Sequence, residues 1–212
     1  MHADELLALM RARRSVRRFR ADAPPDALIE RLIDAAVTAP SASNKQPWRF
    51  LVITSQPVIG SMADAVRSEV SRIAAHIPRE SEDAFRAYGE YFVRFESAPV
   101  VIVPICRAQR VLSHLVDANL PARARELIGA MERDSALVAT SLALSNLLLA
   151  AHALGLGASA MTGPFVARDR LVELLGVPAG WEPIAVVPVG WPDEEPRATD
   201  RREGMKSTRW IR

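Results

Sequence analysis

One cysteine in 212 residues, Cys106, excludes an internal disulfide and with it the small disulfide-stapled secreted class. A reducing, cytoplasmic setting is the expectation. Cys106 follows an apolar run and has no histidine nearby, which predicts a buried thiol and not a nucleophile. Net charge is nearly missing as well: 27 Lys and Arg against 25 Asp and Glu leave +2, too little for a nucleic-acid binder. Lysine is scarce, since Lys45 and Lys206 are the only two, so the positive charge is almost wholly arginine. G-x-S-x-G, H-E-x-x-H and cysteine clusters are all absent, which removes the hydrolase elbow, the zincin helix and the zinc ribbon. His2, His76, His114 and His152 are scattered, and Ser113-His114 lies too close along the chain to Asp117 for a persuasive triad. No metal site is expected. The start, MHADELLALMRARR, carries acids early and too short an apolar core for a secretory signal.

Charged residues are also missing from Ser135 to Ala167. The helical part of that segment, Ser135 to Leu154, is long enough to span a bilayer. Thr140, Ser141, Ser145, Asn146 and His152 interrupt it, and no second span exists. A helix buried on all sides, partly against a partner subunit, explains the same pattern without a membrane.

What is present fits one generous domain over residues 1–212: 49% hydrophobic and 25% charged residues suffice for a real core. Apolar spacing predicts helices over Asp4 to Arg13, Asp26 to Thr38, Val58 to Ala75 and Arg168 to Leu175. Pro24-Pro25 opens the second helix and Pro40 stops it. Strands are predicted at Phe50 to Thr54, Val100 to Ile105, Ala158 to Met161 and Ile184 to Val189. Phe85, Tyr88, Phe92 and Phe95 read as one face of a helix turned to the core. Arg107 to Met131, with Pro121 and Gly129, is the least regular stretch and reads as a lid excursion. Trp191 to Arg212 is polar and non-periodic, an extended C-terminal arm that needs a partner surface. Helices and strands alternate too loosely for a doubly wound fold, so an α+β architecture is expected, a mixed sheet flanked by helices.

Two stretches carry chemistry. The first is Arg13-Arg14-Ser15-Val16-Arg17-Arg18-Phe19. Guanidinium forks match phosphate oxygens in pairs, a serine hydroxyl adds a neutral donor, and Phe19 gives an apolar foot. A compact phosphate site needs only one such cluster; a nucleic-acid face would repeat it and interleave aromatics. On its own, an arginine-rich loop is also what a solvated surface looks like. The second stretch runs from Ala39 through Pro40, Ser41, Ala42, Asn44 and Gln46 to Trp48, between a helix and a strand. Small and amide side chains there can hydrogen-bond the carbonyls and ring nitrogens of a heterocycle. Turn residues alone would account for the two prolines, but not for Ser41, Asn44 and Gln46 together. A third candidate, Gly155-Leu156-Gly157-Ala158-Ser159-Ala160, fits the dinucleotide fingerprint only superficially. That fingerprint needs a strand before it and a helix after it, and here the order is reversed.

Together the two stretches resemble the nitroreductase family, whose pattern is Arg-Arg-Ser-x-Arg-x-Phe followed by Pro-Ser-x-x-Asn-x-Gln-Pro-Trp-x-Phe; here they stand as Arg13 to Phe19 and Pro40 to Phe50. The resemblance continues through Gly155-Leu156-Gly157, Met161 to Phe165, Leu174 to Pro178 and Gly190-Trp191-Pro192. It implies an FMN-binding homodimer of nitroreductase-like fold, with flavin sites shared between subunits. Arg13, Arg14, Ser15 and Arg17 would hold the phosphate and ribityl end of FMN. Pro40, Ser41, Ala42 and Asn44 would approach the same flavin from the other subunit. Ala160, Met161, Thr162 and Gly163 would line the isoalloxazine, and Arg201, with Arg202 as the neighbouring alternative, would return to the phosphate. Thr162 stands where some relatives have an acid, and the family's Asn and Lys contacts after the first strand have no counterpart. The implied activity is ping-pong reduction of nitroaromatic, quinone or similar conjugated acceptors by NADH or NADPH, with no single essential side chain. A specialised member remains open: a dimethylbenzimidazole synthase, a dehalogenase or a biosynthetic dehydrogenase. So does a flavin-binding protein without turnover. Neither nucleic acid nor membrane is an expected partner.

Overall fold

A computed structural model describes residues 2–212. Its helices are α1 (Ala3–Ala12), α2 (Asp26–Val37), α3 (Gln56–Ala74), α4 (Arg79–Gly89), α5 (Ala122–Ala153) and α6 (Arg168–Leu174). Its strands are β1 (Trp48–Ile53), β2 (Val100–Cys106), β3 (Gly157–Ala158), β4 (Glu182–Pro183) and β5 (Val187–Gly190). The strand order is β1-β2-β5-β3, with β4 paired to the end of β2.

Every strand pairing found is antiparallel, so the sheet is not the mixed one expected. The connection between β1 and β2 gives a reason. A single crossover helix returns a chain parallel to its first strand. Here two helices, α3 and α4, pack on each other with a short turn between them, and the chain re-enters the sheet running the other way. Gly89 closes that pair: a Cβ on it would lie 2.7 Å from Val70 Cγ1.

The sheet is covered on both faces, and β2 shows it residue by residue. Val101, Val103 and Ile105 pack with Ile59, Met62 and Val66 of α3 and with Phe95. Val100 and Ile102 pack on the opposite side with Ile29 and Leu32 of α2 and Ala143 and Leu147 of α5. A strand covered on both faces reads as a continuous apolar run, as Val100 to Ile105 does.

Three expectations change in detail. The aromatic stretch is no single helical face: α4 ends at Gly89 and a tight 3₁₀ segment follows to Ser97. Phe92 and Phe95 are buried, whereas Tyr88 stays 64% exposed, edge-on to Phe92. Arg107 to Met131 is irregular only as far as Pro121. Its remainder is the first part of α5, whose charged side chains, such as the Arg123–Glu126 pair, lie on the outside. A helix that is amphipathic at one end and apolar at the other shows no single periodicity. Finally, α5 is long and apolar enough to cross a membrane, but it is not enclosed on all sides within one chain. Ala136, Ala139, Ala143 and Leu147 are buried, while Leu127, Met131, Val138 and Leu142 form an exposed stripe at helical spacing. Leu6, Leu7 and Met10 of α1, which touches α5, are exposed as well.

Candidate functional site

The arginine-rich stretch becomes an edge of the sheet. Val16 and Phe19 are its buried anchors, leaving the residues between them at the surface. The Val16 N–H donates to the Ala158 carbonyl (3.2 Å) and the Arg20 N–H to that of Trp191 (2.9 Å), while Asp193 N–H donates to Arg18 (3.0 Å). Glu194 Oε1 accepts from the N–H groups of Arg17 (2.6 Å) and Arg18 (3.1 Å). The glycines nearby are explained by this packing. A Cβ on Gly157 would sit 2.6 Å from Val16 Cγ1, and one on Gly190 would sit 2.8 Å from Pro99 Cδ. Gly157 leads from α5 into β3, so the reversed order that disqualified the dinucleotide fingerprint is what the chain adopts.

Arg13 stands at the C-terminal end of α1, half-buried. Burial first, then the nearby charges of Arg201 and Arg14, push its pKa below the ordinary arginine value. The C-terminal arm therefore brings the charge of Arg201 near Arg13. Arg14 is differently placed: its Nη1 donates to the carbonyls of Arg11 (2.5 Å), Ala12 (3.1 Å) and Arg13 (3.0 Å), and its Nε and Nη2 have no partner among the described residues. Ser15 and Arg17 are half-buried. Among the described residues, the guanidinium groups of Arg13, Arg14, Arg17 and Arg201 form no ion pair; the Glu194 carboxylate is bound to backbone N–H groups instead. Clustered guanidinium groups without an ion-pair partner, one of them partly withdrawn from water, fit an anion such as a phosphate.

Alongside that edge lie residues 158–163. Met161 is buried and exchanges backbone hydrogen bonds with Val186 (3.0 and 2.8 Å), while Ala160 and Thr162 on either side are exposed. Gly163 has no room for a side chain, since a Cβ would lie 2.2 Å from Phe92 Cδ1. Ser159 is 1% exposed and its Oγ lacks a hydrogen-bond partner. A buried hydroxyl left unpaired is uncommon, and this one adjoins the exposed Ala160.

The second stretch is built quite differently. Pro40, Ala42, Ser43, Asn44, Lys45 and Gln46 are exposed, with Ser41 half-buried. Ser43, Asn44 and Gln46 take positive φ values of 50°, 51° and 45°, a left-handed turn that non-glycine residues enter at a cost. Ser41 Oγ holds it by accepting from the Gln46 N–H (2.9 Å), and Gln46 Nε2 donates to Asn44 Oδ1 (3.2 Å). Strain of this kind is retained where a surface must present a defined shape.

The structure does not bring the two stretches together. The turn feeds β1, at one edge of the sheet, while the arginine stretch lies beyond β3 at the other. Three strand spacings, about 14 Å, separate β1 from β3. Among the described residues no hydrogen bond or ion pair joins the arginine cluster to residues 40–46. The site that the sequence suggested is two half-sites on opposite edges.

A large cavity lies away from the Arg13–Phe19 stretch. It encloses about 1220 Å³ between residues 106–114, the first half of α5 and residues 180–184, and Lys45 contributes to its rim. Its organising residue, Glu132, was not visible as such in the sequence. Glu132 is buried and accepts from the Ser113 N–H (3.0 Å) and the Ser113 hydroxyl. Burial alone would raise its carboxyl pKa, but these bonds and those from the Leu112 and Val111 N–H groups outweigh it and hold the group below the ordinary carboxylate range. A lone glutamate in a charged helical stretch carries no sequence signal of such a role. Cys106 also borders the cavity; burial, then Glu182, raises its thiol pKa against the opposing charge of Arg168, so it stays protonated at neutral pH. No group of three or more metal-ligating side chains occurs among the described residues.

Known proteins resemble this chain in sequence and fold. A 5,6-dimethylbenzimidazole synthase from Rhodospirillum rubrum is 31% identical, over 97% of this chain and 91% of its own length. An NADH dehydrogenase from Thermus thermophilus is 30% identical, over 86% of this chain and 84% of its own. The crystal structure of a nitroreductase with bound FMN from Desulfitobacterium hafniense superposes with a TM-score of 0.73, at 20% identity and covering 100% of both chains. The model of the nitroreductase family matches residues 10–191, and with the arginine and Pro-Ser-Asn stretches both inside that span, the chain belongs to the nitroreductase family.

Proposed function

We propose that the protein is an FMN-dependent oxidoreductase that takes electrons from NADH or NADPH and reduces nitroaromatic, quinone or similar conjugated acceptors. It works as a homodimer in which each site is assembled from both chains. The observation that carries this reading is the half-buried Arg13, near Arg201 and without an ion-pair partner among the described residues, on a segment whose Val16 N–H bonds Ala158, two residues before the exposed Ala160. FMN bound there would supply two-electron redox chemistry, which no side chain in the site offers.

The residues have separable tasks. Arg13, Ser15, Arg17 and Arg201, with the free edge of Arg14, would hold the phosphate end. Ala160, Met161, Thr162 and Gly163 would line the ring. Pro40, Ser41, Ala42 and Asn44 would come from the second copy, since their own chain holds them at the far edge of the sheet. The exposed apolar stripe of α5, the apolar side of α1 and the exposed Trp210 and Ile211 of the arm are the surface such a dimer would cover.

The test is the visible spectrum of the purified protein, with and without added FMN, before and after NADH or NADPH under anaerobic conditions. A yellow protein that bleaches with either nicotinamide supports the reading. A colourless protein that cannot be loaded with FMN overturns it. The 31% relationship to a dimethylbenzimidazole synthase over nearly the whole chain favours one alternative reaction on the same site. Rapid NAD(P)H-driven nitroarene reduction would count against that alternative.

A further inference from the structure

Most arginine ion pairs on this surface are local. Arg20 pairs with Asp22, Arg67 with Asp64 and Glu96, Arg72 with Glu69, Arg86 with Glu82, Arg123 with Glu126 and Arg170 with Glu173. The large cavity breaks that pattern. Its walls carry Lys45, Arg107, Arg110, Arg125, Arg133 and Arg168 against Glu132, Asp134 and Glu182, yet none of these forms an ion pair among the described residues. Arg125 donates to the Ala118 carbonyl (2.9 Å), Arg168 to that of Pro183 (3.2 Å), and both Glu132 oxygens accept from Ser113. The side chains of Lys45, Arg107, Arg110 and Arg133 have no hydrogen-bond partner among the described residues.

Arg107 is also pre-oriented. Its guanidinium lies over the buried Trp181 ring, 5.1 Å from the centroid, with Arg49 over the same ring at 4.4 Å. Stacking on an aromatic ring fixes the plane of a guanidinium while leaving its N–H edge free for a forked contact. Cations from three separate segments face one concave space in excess over its three carboxylates and unpaired with them, so they repel one another until an anion enters.

We propose that this cavity binds the anionic end of a substrate of the flavin reaction, a phosphate or carboxylate held by Arg107, Arg110 and Arg133. The inference rests on the FMN reading above, because Lys45 on the cavity rim directly follows Asn44, the residue offered to the neighbouring flavin. The volume exceeds what a single nitroaromatic ring fills, so a substrate with a charged extension suits it. Two sources share that chemistry: the phosphates of the nicotinamide donor, or a carboxylate on the acceptor.

Isothermal titration calorimetry of the FMN-loaded protein at low salt, with inorganic pyrophosphate and with 4-nitrobenzoate, tests binding apart from turnover. Saturable binding of at least one anion is expected, weakened about tenfold or more in R107Q/R110Q. Arg133→Gln, on the opposite wall, gives an independent second variant, and Arg86→Gln, a paired surface arginine, should change nothing. Kinetics then assign the source. A KM that rises for NADPH but not for the uncharged donor 1-benzyl-1,4-dihydronicotinamide identifies the donor phosphates. A KM that rises for 4-nitrobenzoate but not for 4-nitrobenzyl alcohol identifies the acceptor carboxylate. Wild-type protein that binds neither anion, variants that bind as wild type does, or equal rises for charged and uncharged substrates would each overturn the proposal. Failure of the protein to take up FMN would sink the oxidoreductase reading instead, and the anion titration repeated on flavin-free protein would still be interpretable.

Discussion

Among the described residues two groups of arginines have guanidinium groups without an ion pair, and they are constructed in opposite ways. Arg13, Arg14 and Arg17 come from one short segment, stiffened by Val16 and Phe19 in the core and by backbone bonds to residues 158 and 191–194. Arg107, Arg110 and Arg133 come from a loop and a helix, brought together by a buried carboxylate, Glu132, that ties residues 111–113 to α5. The first group is as rigid as the sheet it borders. The second is only as rigid as its latch. A site for a resident group suits the first construction, because holding a phosphate tightly requires donors fixed in advance. A site that exchanges ligands suits the second.

The largest effect expected from breaking this comparison is on the first group. Replacing Arg13 by Ala should weaken FMN binding about tenfold to a hundredfold, the worth of one charge-assisted hydrogen bond at about 1.5–3 kcal/mol. Arg18→Ala should leave it nearly unchanged, since Arg18 is exposed and its N–H is already bound by Glu194. Quenching of flavin fluorescence on titration measures both. Equal losses would mean that general basicity, not a defined site, attracts the cofactor.

The next effect concerns the two edges of the sheet. Arg13→Ala and Asn44→Ala homodimers should each be nearly empty at a limiting FMN concentration. Unfolding and refolding them together should return about a quarter of wild-type capacity, because about half the dimers are mixed and each has one intact site. Capacity no better than the average of the separate variants would place both residues in one chain's site.

A smaller and more local effect should follow from Glu132→Gln. Hydrogen exchange at the amides of Leu112 and Ser113 should quicken while FMN affinity stays at the wild-type level. The pH dependence has a definite sign. Because the folded carboxyl pKa is depressed, the stabilisation it gives is present above the ordinary carboxylate range of about 4 and is lost as pH falls through the folded value. Protection of these two amides should therefore fall in acid before that of β2, and Glu132→Gln should abolish the difference. Unchanged exchange in the variant would show that the loop is held by something else.

The smallest effect is the control on the whole contrast. Arg170→Ala removes an exposed i,i+3 pair with Glu173 and should shift Tm by no more than about 1–2 °C. A larger fall would mean that paired surface arginines matter here as much as unpaired ones.

How much of this was legible in the residues differs by region. Val100 to Ile105, Asp26 to Val37 and the apolar end of α5 announce themselves, because burial on one or both faces leaves a period or a run. The antiparallel sense of the sheet does not, since nothing local in β1 or β2 records how the helices between them return the chain. The start of α5 at Ala122 is also hidden: charged residues on its outer face blur the boundary that a loop would give. Tyr88 misleads in the opposite direction, an aromatic at helical spacing that the break after Gly89 leaves in solvent.

The same division runs through the site. Sequence by itself determined the Arg13–Arg17 cluster and the Pro-Ser-Asn stretch as candidate sites, because each draws its donors from neighbouring residues and local chemistry needs no fold to be read; the left-handed strain of the second stretch came only with the structure. It also determined the family. Tertiary structure alone decided that the two stretches occupy opposite edges of the sheet and that Arg107, Arg110 and Arg133 face one cavity under the hold of Glu132. The physical reason is the range of the forces involved. A phosphate-binding motif is written within the reach of a few backbone bonds, whereas a cavity is written in the distances between segments that only packing brings together.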